Sequence, residues 1–87
     1  MQRGDRVVVV KDLEHEDDPG GSEVLGRTGF ISGTWVDDQG SERLTVNFIN
    51  PEPWAPEAAA MLPSELVLAS EFGPQHPLYA VLYPYWH

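Results

Sequence analysis

Hydrophobic positions in this chain recur at the spacing of strands. Arg6 to Lys11 holds four consecutive valines, Val7 to Val10, directly after Gly4-Asp5. β-Branched side chains lose freedom in a helix but pack well on a pleated surface, so this run predicts a first strand. Gly26 then introduces Arg27-Thr28-Gly29-Phe30-Ile31-Ser32, a predicted second strand in which the glycine marks a bulge or a close backbone approach. Gly33 to Val36 continues it past a kink, and Asp37-Asp38-Gln39-Gly40 is a strong turn signal for a hairpin. Leu44-Thr45-Val46-Asn47-Phe48 alternates apolar and polar residues, which directs Leu44, Val46 and Phe48 to the core.

The intervening segments break this pattern. Asp12 to Glu23 is polar, contains Pro19-Gly20-Gly21 and predicts an exposed, mobile loop. Asn50 to Pro56 has three prolines, which lack the donor a sheet interior requires, and is expected to be a loop. Glu57 to Met61 is rich in alanine but bounded by Pro56 and Pro63, so a helical turn or two is expected there. Leu62-Pro63-Ser64-Glu65-Leu66 reads as a tight 3₁₀ turn entering a short strand, Leu66 to Ala69. Residues 70–87 form a proline- and aromatic-rich tail, ending Leu78-Tyr79-Ala80-Val81-Leu82-Tyr83-Pro84-Tyr85-Trp86-His87. Its spacing suits a helical stripe (Leu78, Val81, Leu82, Tyr85) or a strand face (Tyr79, Val81, Tyr83), and the sequence leaves both open. So much aromatic surface is expected to dock on the rest of the chain, in a homodimer or on a partner.

At 87 residues the chain has room for one domain and one core. Most apolar side chains must therefore serve packing, and Trp35 is expected to lie against a neighbouring strand. Fourteen acidic and five basic residues give a formal charge of -9, and Lys and Arg are absent from Leu44 onward. Nucleic-acid and anionic-lipid binders rely on clustered cations, so both are disfavoured, although Arg3, Arg6, Arg27 and Arg43 supply material for a local patch. A protein partner with a basic surface fits the charge better. The absence of cysteine excludes disulfides and thiolate chemistry and suits a reducing cytoplasm. The valine run is too short for a signal-peptide core or a membrane span, so a soluble, unprocessed cytoplasmic protein is expected.

Glu14-His15-Glu16-Asp17-Asp18 is the densest polar group. It lacks the ligand spacing of a calcium loop, and His15, His76 and His87 share no metal-site spacing, so neither metal nor cofactor is expected. Asp37-Asp38 is read as a turn former, and no nucleophile elbow, phosphate loop or metalloprotease motif is present, which points away from catalysis. Trp54, set among Pro51, Pro53 and Pro56, has the character of a rigid recognition anchor or of a lid over the core. Candidate binding residues are Glu14, Glu16, Asp17, Asp18, Trp54, Tyr83, Tyr85 and Trp86.

Taken in order, Gly4-Asp5-Arg6-Val7-Val8-Val9, Gly26-Arg27-Thr28-Gly29-Phe30-Ile31, Leu44-Thr45-Val46-Asn47-Phe48 and Leu62-Pro63-Ser64-Glu65-Leu66 resemble the SH3-like barrel, particularly KOW-like and related small bacterial barrels. The resemblance covers residues 4–69. It implies an all-β fold of about five strands with a short 3₁₀ turn, residues 1–69 forming the barrel and 70–87 the tail. KOW-type modules carry basic loops where this chain has its acidic one, so the fold is implied without their RNA-binding role. The function expected is a non-catalytic protein-interaction module whose acidic loop and Trp54 loop border one surface. The alternatives are an acidic DNA mimic that inhibits a nucleic-acid-binding protein, or an accessory subunit of a larger enzyme.

Overall fold

A computed structural model describes residues 1–18, 22–49, 53, 55–77 and 79. Five strands, β1 (Arg6–Val9), β2 (Thr28–Val36), β3 (Glu42–Phe48), β4 (Ala58–Met61) and β5 (Leu66–Leu68), form one antiparallel sheet in the order β4-β3-β2-β1-β5. Short 3₁₀ helices span Leu13–His15, Pro63–Glu65 and Ala69–Glu71. Among the described residues the fold is therefore all-β. No helix among the described residues is long and apolar enough to cross a membrane.

The valine run explains the middle of the sheet. Side chains alternate faces along a strand, so Val7 and Val9 enter the main core while Val8 and Val10 lie on the opposite side. Val7 and Val9 pack with Val24, Ile31, Leu44, Val46, Phe48, Met61 and Leu66. Val8 and Val10 meet Leu25 and are covered by Val67, Ala69 and Phe72. Burial on both faces is what a continuous apolar run requires, whereas β3, with one buried face, shows strict alternation. Phe72 also stacks with His76 and Tyr79, at centroid distances of 5.2 and 5.6 Å.

β2 is long and bent. Its register against β3 shifts between Ile31 and Gly33, leaving Ser32 as the extra residue of a bulge. Gly29 lies opposite Phe48, and a Cβ there would sit 2.6 Å from the Asn47 carbonyl oxygen and from Val46 Cγ1. The close approach expected from the sequence is thus real, while the bulge falls three residues later. The β2–β3 turn is held by Asp37, whose carboxylate accepts from the Gln39 and Ser41 N–H groups and from Arg43 Nε. Gly40 completes the turn at φ +80°, a conformation that costs glycine little.

Three expectations need correction. The alanine-rich segment is strand β4, paired to β3 through Leu44↔Met61 and Asn47↔Ala58. Two prolines leave too few residues to offset the cost of helix nucleation, and a neighbouring strand satisfies the same backbone groups. Arg27 belongs to no surface patch: it is 2% exposed, lies 4.2 Å over the Phe48 ring and donates to the Pro56 carbonyl. Trp35 lies against β3 as expected, donating from Nε1 to Thr45, and is 45% exposed, as is Phe30. The last strand ends at Leu68, with Ala69 opening a 3₁₀ turn.

Candidate functional site

The acidic first loop is anchored at its base. Asp12 caps the Leu13–His15 turn, accepting from the Glu14 N–H at 3.2 Å, His15 Nδ1 at 3.0 Å and Ser22 Oγ at 2.6 Å. Ser22 Oγ in turn accepts from the Val24 and Leu25 N–H groups, so one hydroxyl joins the two ends of the loop. The loop expected to move freely is therefore fixed where it leaves and rejoins the sheet.

Glu65 supplies the second anchor. It is 5% exposed, and its carboxylate accepts from the Leu13 N–H at 3.1 Å and the Leu62 N–H at 2.8 Å. Its carbonyl oxygen also accepts from the Val10 N–H at 2.9 Å. One residue thus holds the acidic loop against the turn that leaves β4. A buried carboxylate is tolerable only when its lone pairs are occupied in this way.

Between the anchored loop and β4 runs a groove of about 840 Å³. Ala58, Ala59, Ala60, Met61 and Leu62 all line it in succession. Consecutive strand residues point to opposite faces, so all five can border one groove only along the strand's edge. The loop side contributes Asp12, Glu14, His15 and Glu23, and Glu65 lies between the two sides. Arg43 also lines the groove, but its Nε is held at 3.0 Å from Asp37 Oδ2. Four carboxylates against one paired guanidinium make the groove electronegative.

Of the acidic candidates, Glu14 lines this groove, whereas Glu16, Asp17 and Asp18 are exposed outside it. Glu16 lies 3.6 Å from Lys11 in a solvent-exposed pair of the kind that contributes little. Trp54, Tyr83, Tyr85 and Trp86 lie outside the described residues. Asp12, Glu23 and Glu65 were not singled out from the sequence. The position of Glu65 carried a signal, since a carboxylate three residues after Leu62, beside a proline, is placed to accept a turn N–H. Asp12, Glu14 and His15 offer ligand atoms within 4.8 Å of one another, but the Asp12 oxygens are occupied by the cap and by Ser22. That cluster is accounted for as loop architecture.

A comparison with known proteins finds no matching family model, no matching curated protein and no matching solved structure.

Proposed function

We propose that this chain is a non-catalytic, cytoplasmic protein-interaction module of SH3-like barrel type, which receives a basic segment of a partner in the groove between its acidic loop and β4. The barrel reading is supported by the strand order, by the bent second strand and by the 3₁₀ turn before the last strand. The observation that carries the functional reading is the groove itself, a fixed concavity bordered by Asp12, Glu14, Glu23 and Glu65. A rigid acidic groove offers a basic segment favourable charge at little ordering cost to the receptor. Pro56 also lines the groove.

The experiment is a titration with a short lysine-rich peptide at rising salt, on the parent chain and on two variants. Binding is expected to weaken with salt and to fall on combined Glu14→Gln and Glu23→Gln substitution, whereas neutralising Asp17 and Asp18 leaves it within about twofold. Equal affinity in the parent and the Glu14/Glu23 variant overturns the proposal.

A further inference from the structure

The groove is bordered by a strand edge as well as by carboxylates, and that edge narrows the kind of partner. Phe48 N–H donates to the Glu57 carbonyl at 2.9 Å, which fixes the hydrogen-bonded positions of the β3–β4 ladder. In an antiparallel pair these positions alternate, so Glu57, Ala59 and Met61 face β3, while Ala58 and Ala60 turn their N–H and C=O groups to the groove. Among the described residues, β4 pairs with β3 alone. The next group along that edge, Leu62 N–H, is already occupied by Glu65 Oε1. The available edge is therefore short and ends at a carboxylate.

Natural edge strands are usually blunted by a charge, a proline or a bulge, because an open ladder invites another strand. Within its four residues, Ala58, Ala59, Ala60 and Met61, β4 carries none of these and its ladder with β3 is regular, so only its shortness limits pairing, to Ala58 and Ala60. Small side chains leave an approaching backbone unobstructed. From these observations we infer that the groove binds an extended basic peptide segment by strand addition, with its backbone pairing to Ala58 and Ala60 and its cationic side chains directed at Glu14 and Glu23. This rests on the acidic-groove reading above and specifies its occupant. A second copy of this chain is the poorer occupant, since each copy carries -9 and would bring further carboxylates to the groove.

The test uses the full chain with a short synthetic peptide of alternating lysine and valine. Two derivatives are N-methylated on the lysines only or on the valines only, and a fourth peptide has glutamate for lysine. In a strand all residues of one parity face one edge, so exactly one methylated peptide loses the ladder. That peptide is expected to bind about tenfold or more weakly than the parent, and the other to match it. Amide exchange at Ala58 and Ala60 is expected to slow when the parent peptide binds. Ala60→Pro, which removes an edge donor without removing a β3 bond, is expected to weaken binding similarly, and the peptide series stands if that variant fails to fold.

If the lysine peptide binds and responds to salt, but both methylated forms match it and the two amides are unchanged, strand addition is overturned and the acidic groove stands. If the lysine and glutamate peptides bind alike, or neither binds, both readings fall. Protection of Ala58 and Ala60 without peptide assigns the edge to this chain itself when independent of concentration, and to a second copy when it rises with concentration. Either result overturns the inference.

Discussion

Replacing Glu65 by alanine removes one carboxylate and deprives two backbone donors of their acceptor. Leu13 N–H and Leu62 N–H bond to different oxygens of that group, at 3.1 and 2.8 Å. A hydrogen bond to a charged group is worth about 1.5–3 kcal/mol when its surroundings are dry. Leu13 is 37% exposed and Leu62 is half-buried, so water recovers part of each loss. The expected net cost of Glu65→Ala is about 2–3 kcal/mol, which lowers the melting temperature of a domain this size by about 8–24 °C. Glu65→Gln keeps one acceptor oxygen and is expected to cost about half as much. Urea denaturation of the three proteins supplies the comparison, with an unchanged slope confirming that the midpoint reports stability. Amide exchange adds a local readout: Leu13 and Leu62 are expected to lose protection more than Leu44 does. An alanine variant within about 0.5 kcal/mol of the parent, or a Leu13 amide no less protected than before, would refute Glu65 as the clamp.

Other perturbations probe the rest of the account. Gly29→Ala forces a Cβ to 2.6 Å from a backbone oxygen and is expected to cost about 1–3 kcal/mol or more, whereas Gly33→Ala meets nothing within 4 Å and is expected to be neutral or slightly stabilising by thermal denaturation. Leu44→Ala empties a fully buried site and is expected to cost about 2–5 kcal/mol in the same assay. The Ser41 N–H above all, with Arg43 and the Gln39 N–H, holds the Asp37 carboxyl below the usual carboxylate range. A lowered folded value means that the stabilisation is present above the unfolded carboxylate's pKa and disappears as pH falls through the folded one. The stability difference between the parent and Asp37→Asn is therefore expected to be constant near neutrality and to shrink only in acid, as followed by denaturation across pH.

Strands with a periodic or continuous apolar pattern are legible in the sequence alone. The valines of β1, the alternation of β3 and the turn at Asp37–Gly40 are local signals, and each element formed where its pattern lies. β4 was not legible, because Ala58-Ala59-Ala60 has helical propensity and its strand character comes from β3 beside it. Arg27 was hidden for a related reason. Its burial depends on the Phe48 ring and the Pro56 carbonyl, which are distant in sequence. The groove was half legible: acidity of the first loop was plain, but its shape depends on Glu65, fifty-two residues from Leu13. Composition also suggested that all the loop acids act together, whereas the anchors at Asp12 and Glu65 bring Glu14 to the groove and leave Asp17 and Asp18 in solvent.

Backbone chemical-shift mapping with the alternating lysine–valine peptide tests the central claim most directly. The account predicts saturable changes confined to Asp12–His15, Glu23 and Ala58–Leu62, fading as salt is raised. Changes centred instead on the exposed Phe30, Trp35 and Val36, with the β4 amides untouched, would place recognition on the other surface and contradict it.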